Sequence, residues 1–411
     1  MILAELIDEF VSGDWGNEQC SDDTPNAVSC IRAADFEPIL SVDYSNIPTR
    51  YISDNSYKNK LLKAGDIIIE KSGGSPTQST GRVILVTGEL LKEKQHIVCS
   101  NFCEAFRVKK EWSPFYVFCY LQFLYKEGVF FNFEGKTSGL KNLQMEQAFN
   151  SIDIPEQKSD ISILTSIDEK IALNRKINAE LETMAKQIYD YWCVQFYFPD
   201  EDGEPYKSSG GKMVWNEILK REIPEGWSDG VLEDIANITM GQSPDGSSYN
   251  ADGDGTIFYQ GSTDFGVRFP KIRMYTNAPS RYAKKGDILM SVRAPVGATN
   301  IANNDCCIGR GLAALNSKIG SITHLYQIIQ DLKAKFDLLN NGGTTFGAIN
   351  KDELHTLVVV VPDNSVLENF EEIASPIFEK QMKLGYETED LQALRDYLLP
   401  LLMNGQITIK E

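Results

Sequence analysis

The chain is written twice, and that constrains its fold more than any other feature. Gly65-Asp66-Ile67-Ile68 returns as Gly286-Asp287-Ile288-Leu289, 221 residues later. Gly135-Lys136-Thr137-Ser138-Gly139-Leu140-Lys141-Asn142 returns as Gly343-Thr344-Thr345-Phe346-Gly347-Ala348-Ile349-Asn350, 208 residues later, and both read G-x-T-x-G-x-x-N. Glu169-Lys170 and Leu181 return as Glu379-Lys380 and Leu391, 210 residues on, and Asp35-Phe36 returns as Asp264-Phe265 after 229. One dipeptide match is noise. An ordered set with drifting offsets is what duplication followed by loop insertion leaves behind.

Each half has the same anatomy. A segment of about 150 residues carries short strand-like runs between Gly, Asn, Ser and Pro: Asp66-Ile67-Ile68-Ile69, Arg82-Val83-Ile84-Leu85-Val86, Ala105-Phe106-Arg107-Val108 and Leu357-Val358-Val359-Val360-Val361. A Pro-marked boundary follows, Ile154-Pro155 or Val361-Pro362, and then a long helical stretch. The second stretch shows a heptad at Phe370, Ile377, Leu384, Leu391 and Leu398, with Leu394 and Leu401 on the companion seam. The first shows Ile167, Asn174, Leu181 and Ile188, with Met184 and Tyr191 alongside. Asn174 stands where the seam should be apolar. It is either a buried polar residue that fixes register or a residue at the solvated edge of an ordinary amphipathic helix.

Neither helix buries its stripe alone, so the two are expected to pack on each other as an antiparallel coiled coil. A helix over 163–196 is roughly 50 Å long at 1.5 Å per residue. One turn of B-DNA is about 34–36 Å, so such a rod is long enough to space two readers one turn apart. The fold class expected is therefore α+β: two similar mixed α/β domains separated by two long helices in a pseudo-twofold repeat. The boundaries read as domain one at 1–155, a central helix at 156–198, a polar Gly/Pro-rich linker at 199–222, domain two at 223–362 and a C-terminal helix at 363–405.

At 411 residues the chain has room for two or three domains. No apolar run approaches the ~20 residues needed to cross a bilayer, and the first residues lack a basic signal-peptide start, so a cytoplasmic protein is expected. Eight cysteines without C-x-x-C or His at zinc spacing read as reduced thiols. The net charge of −18 argues against binding nucleic acid by bulk electrostatics and leaves room only for local basic loops or a partner.

Catalytic motifs are absent or false. Gly135-Lys136-Thr137 resembles the end of a phosphate-binding loop, but the required first Gly is Phe130. The segment reads as a turn closing the domain or as a polar loop facing DNA. Asn250-Ala251-Asp252-Gly253-Asp254-Gly255 imitates a calcium loop whose twelfth position is Gly261 rather than Glu. Pro199-Asp200 and Glu204-Pro205-Tyr206-Lys207 are too close to flank a nuclease metal. There is no methyltransferase Asn-Pro-Pro-aromatic motif, no Gly-x-Gly-x-x-Gly and no partner near His96, His324 or His355. No metal or cofactor is expected.

The second half opens with Ile223-Pro224-Glu225-Gly226-Trp227, then Leu232-Glu233-Asp234-Ile235-Ala236 and Gly241-Gln242-Ser243-Pro244. Together with the G-x-T-x-G-x-x-N segments and the heptad helix ending Leu398-Leu399-Pro400-Leu401-Leu402-Met403-Asn404-Gly405, this resembles the specificity subunits of type I restriction-modification systems. The first domain lacks the Pro-Glu-Gly-Trp opening and carries Gly13-Asp14-Trp15-Gly16 in place of the Gln-Ser-Pro run. The resemblance implies that each domain reads one half of a bipartite, asymmetric DNA site and that the helices set the spacer. It also implies two docked modification (methyltransferase) subunits, with motor-driven restriction subunits joining them. The subunit itself would be non-catalytic.

Arg or Lys on guanine, Asn or Gln on adenine, and hydroxyls on phosphate are the groups such reading needs. Candidates beside Gly-rich or strand-end loops are Arg32, Lys71, Ser72, Arg82, Lys136 and Thr137 in the first domain, and Gln242, Gln260, Arg293, Arg310, Thr344 and Thr345 in the second. The competing readings are a nuclease or ATPase with an unrecognised site and a coiled-coil scaffold that never meets DNA.

Overall fold

A computed structural model describes residues 1–74, 78–136, 141–157, 160–341 and 347–407. The chain forms two compact units, Met1–Lys176 with Thr388–Glu411, and Ile177–Glu387. Each unit thus takes part of both long helices.

In the first unit a four-stranded antiparallel sheet runs in the order Ile7–Ser12, Cys103–Val108, Ile67–Glu70, Val83–Leu85. Ile67–Glu70 is buried along its whole length, as a continuous β-branched run in a central strand should be. A second sheet places Asn26–Ile31 between Thr49–Ile52 and Ile97–Cys99, the latter pair parallel. The helix Pro114–Lys126 starts on a Ser113 cap that accepts the Tyr116 N–H, with Pro at its first position. It buries Val117, Leu121 and Phe123 in the first unit's core.

The second unit repeats this plan internally. Its four-stranded antiparallel sheet runs Ala236–Met240, Leu312–Ser317, Ile288–Ser291, Thr299–Ile301, and its second sheet contains one parallel pair, Thr256–Tyr259 with Cys306–Ile308. The correspondence reaches single hydrogen bonds. In the first unit Asp66 accepts the Lys63 N–H on Oδ2 at 2.7 Å and donates its own N–H to the Lys63 carbonyl at 3.0 Å; Asp287 does the same with Lys284 at 2.8 and 3.0 Å. Gly65 and Gly286 enter these turns at φ +92° and +94°. The buried Asp35 and Asp264 each close a single 3₁₀ turn, Ala33–Asp35 and Ser262–Asp264.

One match shifts. Leu143 donates its N–H to Lys71 O and Ile349 donates to Val292 O, which pairs residues 206 apart where the G-x-T-x-G-x-x-N reading gave 208. The structural counterpart of Asn142 is Ala348, because Ser72 lies opposite Asn142 and Arg293 opposite Ala348. A two-residue slip is invisible to a motif made of Gly and Thr turn residues, which recur for conformational reasons at several registers.

The long helices are Ser162–Tyr189, continued by a π turn over Asp190–Val194, and Asn364–Met403. Within each unit their segments oppose one another in reverse chain order. In the first unit Ile161 and Leu164 share a core with Leu399, Leu402 and Met403, and Arg395 Nε donates to Asp168 Oδ1 at 2.5 Å and Nη2 to Gln122 Oε1 at 2.7 Å. In the second unit Gln381 Nε2 donates to Glu182 Oε2 at 2.7 Å, and Tyr189 meets Phe370 edge-on with ring centres 6.4 Å apart.

The seam includes Ile167, Asn174, Phe370 and Leu384, all buried; Leu181, Ile188, Ile377, Leu391 and Leu398 are half-buried. Asn174 has no exposed surface, which decides for the buried reading over the solvated edge. The companion row is corrected: Met184, Tyr191 and Leu394 are exposed, whereas Leu164, Ile171, Ala185, Ala374 and Gln381 are buried. Apolarity alone was a poor guide here because the true row mixes large apolar residues with alanines and with Gln381, which hydrogen-bonds across it.

Residues 199–222, expected as a plain linker, are mostly exposed but carry an antiparallel hairpin, Met213–Asn216 with Arg221–Pro224. Its anchor is aromatic: Phe198 stacks on Tyr206 at 4.7 Å and on Trp227 at 5.3 Å. The eight cysteines are free thiols, and all but Cys20 are buried. Among the described residues no helix is long and apolar enough to cross a membrane, and no three His, Cys, Asp or Glu side chains converge as a metal site would require.

Candidate nucleic-acid interface

Superposing the hydrogen-bond patterns of the two units picks out one surface in each, built from the same four loop segments at one rim of the four-stranded sheet. In the first unit Asp14 N–H donates to Cys99 O at 2.7 Å, Ser100 N–H to Ile31 O at 2.8 Å, Cys103 N–H to Ser100 O at 2.9 Å and Lys71 N–H to Phe102 O at 2.8 Å. In the second, Gln242 N–H donates to Ile308 O at 3.0 Å, Gly309 N–H to Tyr259 O at 2.8 Å, Leu312 N–H to Gly309 O at 3.0 Å and Val292 N–H to Gly311 O at 3.0 Å. Two chain segments cross so closely that a side chain cannot fit between them. A Cβ on Gly13 would lie 2.0 Å from Ser100 O, and one on Gly241 would lie 2.2 Å from Gly309 O. The rim therefore presents Asp14-Trp15, Arg32, Ser72 and Asn101-Phe102 in one unit, and Gln242-Ser243, Gln260, Arg293 and Arg310 in the other.

In the first unit the rim is a cleft of about 480 Å³ lined by Trp15, Arg32, Ser72, Asn101 and Phe102 among others, with Glu70 at its base. Its cations are already engaged. Arg32 forks onto Asp35 at 2.7 and 2.9 Å, Arg82 forks onto the buried Glu70 at 2.8 Å twice, and Lys71 reaches Glu104 at 3.3 Å. Lys60 sits 3.4 Å from Asp14. Burial alone would raise the Asp14 carboxyl, but hydrogen bonds from Ser56 and Gly16 together with the Lys60 ammonium hold it below its usual range. Ser72 Oγ donates to Asn142 Oδ1 at 2.5 Å. Of the six sequence candidates here, Arg32 and Ser72 line the cleft, and Arg82 lies behind it on Glu70. Lys136 ends the strand Glu134–Lys136 opposite Lys141 of Lys141–Leu143, and Thr137 lies outside the described residues.

In the second unit Gln242, Gln260, Arg293 and Arg310 come together on the rim and all are exposed. Among the described residues neither arginine has an ion pair. Thr344 and Thr345 lie outside the described residues. Sequence reasoning missed Arg281, whose carbonyl accepts the Ile308 N–H at 2.9 Å and whose exposed side chain joins the same rim, and Ser280, whose Oγ donates to Gln242 O at 2.9 Å. It also missed Trp15, Asn101 and Phe102. Trp15 lies in the Gly13-Asp14-Trp15-Gly16 run that the sequence already sets against Gly241-Gln242-Ser243-Pro244, whereas Asn101 and Phe102 carry no such signal.

The family model for the type I restriction modification DNA specificity domain matches this chain twice, over residues 26–183 and 224–375. The chain belongs to this family. The two matches fall one in each half of the chain, and a relative agrees: the putative type I restriction enzyme MjaX specificity subunit of Methanocaldococcus jannaschii is 32% identical over 317 residues, 74% of this chain and 70% of that one. The MjaIX specificity subunit of the same organism is 23% identical over 315 residues, 71% and 69% of the two chains, and the HindI specificity subunit of Haemophilus influenzae is 23% identical over 324 residues, 62% and 69%. The crystal structure of a type I restriction-modification S subunit from M. genitalium shares the fold, with a TM-score of 0.50, 14% identity and coverage of 98% and 95%. Type I specificity subunits are non-catalytic, and methylation and cleavage belong to the other subunits of their systems.

Proposed function

We propose that this specificity subunit reads a bipartite, asymmetric DNA sequence, one half-site per unit, through the two equivalent rims. The observation that supports this is their identical backbone scaffold carrying different side chains. A shared frame with divergent chemistry is what two readers of unlike half-sites need. Exposed Gln242 and Gln260 have the donor–acceptor pair that matches adenine, and Arg281, Arg293 and Arg310 have the fork that matches guanine or phosphate. Arg32 and Ser72 serve the first half-site; Lys71, Arg82, Lys136, Thr137, Thr344 and Thr345 complete the proposed set. The domain boundaries proposed are 1–155 and 223–362, with helices at 156–198 and 363–405 and the segment 199–222 joining them.

In this reading the chain works in the cytoplasm with two modification subunits, and restriction subunits join that complex. The two heptad helices set the spacer between half-sites, and an insertion of seven residues, which keeps the heptad phase, lengthens it while leaving both half-sites unchanged. Methylation mapping of a host carrying this chain and its modification partner tests the function: modified adenines are expected in one two-part motif that disappears when the chain is deleted. An unchanged methylation pattern on deletion overturns it.

A further inference from the structure

We propose that Phe102 is a specificity-determining wedge, whose ring enters a base step of the half-site read by the first unit. The inference rests on the DNA-reading role just proposed and goes beyond it to how one half-site is read. Phe102 is 55% exposed on a rim that also carries Trp15, Arg32, Ser72 and Asn101. Its exposure is not that of a loose loop. Its carbonyl accepts the N–H groups of both Lys71, at 2.8 Å, and Ser72, at 3.1 Å, and the turn is closed by Cys103 N–H on Ser100 O at 2.9 Å. A ring held out this firmly into water costs apolar hydration that a partner surface would recover.

The second unit shows what the position permits. Its counterpart is Gly311, where a Cβ would lie 2.7 Å from Gln260 O, so the second rim carries no side chain at this position. The first unit lacks the second unit's free guanidiniums and has instead a projecting ring beside a cleft that also exposes Asn101 and holds Arg32 and Trp15. Apolar side chains pushed between base pairs unstack one step and favour sequences in which unstacking is cheap. The first half-site is thus read partly by deformability, and the second by hydrogen bonds from Gln and Arg.

The test uses the full chain with its modification partner on a duplex carrying the mapped site, with 2-aminopurine placed in turn at each position of both half-sites except the methylated adenines, which the modification subunit itself takes out of the stack. Wild type is expected to raise the fluorescence several-fold at one step of the first half-site and at none of the second. Phe102→Ala is expected to abolish the rise and weaken binding about ten- to hundred-fold, whereas Phe102→Trp keeps both. Thermal unfolding is expected to be unchanged in both variants, since the ring is more than half exposed. Tight binding without any fluorescence rise overturns the wedge while leaving the reading of DNA intact. Failure of the wild-type complex to bind the mapped duplex overturns the underlying function itself.

Discussion

The two units share a backbone plan and differ in how they handle charge. In the first, the rim cations are spent on carboxylates: Arg32 on Asp35, Arg82 on Glu70, Lys71 on Glu104. In the second, Arg281, Arg293 and Arg310 stand exposed, with no ion pair among the described residues. At the strand end where the first unit buries Glu70, the second has Ser291, whose hydroxyl donates to Arg293 O at 2.6 Å and so braces the arginine loop without neutralising it. The difference teaches that a chain of net charge −18 can still offer phosphates a local positive surface. At the first rim carboxylates serve as internal partners for the cations.

The largest expected effect separates the units by pH. His324 is fully buried between Tyr189 and Phe370, and desolvation pushes its imidazole down to about 4. An unfolded chain protonates a histidine near 6.5, so between pH 6.5 and 4 the unfolded state takes up a proton that the folded state refuses. The second unit's stability is full above pH 6.5 and falls as pH drops, by about 3 kcal/mol at pH 4. His96 of the first unit is by contrast exposed and bonded to Tyr57 at 2.9 Å. Thermal unfolding of the full chain at a series of pH values is expected to show one pH-sensitive transition, flattened in His324→Leu. Equal acid sensitivity in that variant would show that other groups govern it.

The next effect lies in the helix seam of the first unit. Arg395 is mostly buried against Asp168, whose carboxyl burial pushes up despite the arginine. Arg395→Met leaves that carboxylate poorly solvated and is expected to cost about 3 kcal/mol at pH 7. Asp168→Asn made in the same chain should recover part of the loss. A cycle in denaturant measures both, and full additivity would mean that the pair does not act as one.

How much of this was legible in advance follows from what sequence can encode. A strand run such as Ile67-Ile68-Ile69 was readable because burial demands continuous apolar residues. So was the duplication, because turn residues such as Gly65-Asp66 are fixed by backbone geometry. The true companion seam was not, because Gln381 and Arg395 are polar and hold it by hydrogen bonds to residues about 200 or more positions away. The rim was half readable. Gln242, Gln260 and Arg310 stood beside glycines and Arg293 at a strand end, but whether a cation is free or paired depends on carboxylates brought in from other strands. Nothing in the local sequence separates Arg82, spent on Glu70, from Arg310, which is not.

Smaller effects sharpen the contrast in DNA binding. Arg293→Ala and Arg310→Ala are each expected to weaken binding by about 1–3 kcal/mol, and where the contact is to phosphate to reduce the slope of log affinity against log salt by about 1. Lys71→Ala and Arg32→Ala in the first unit are expected to change that slope by less, because each frees a carboxylate as it removes a cation. Equal slopes for all four variants, measured by titration of the subunit with its modification partner, would erase the electrostatic distinction between the rims.

The most direct measurement of whether the units are separate readers is an exchange. Residues 1–155 are replaced by the matching domain of another specificity subunit, and adenine methylation is mapped in the host. The expected result is a new sequence in one half-site with the other half-site unaltered. A change in both half-sites, or in neither, would contradict the assignment of one half-site to each unit.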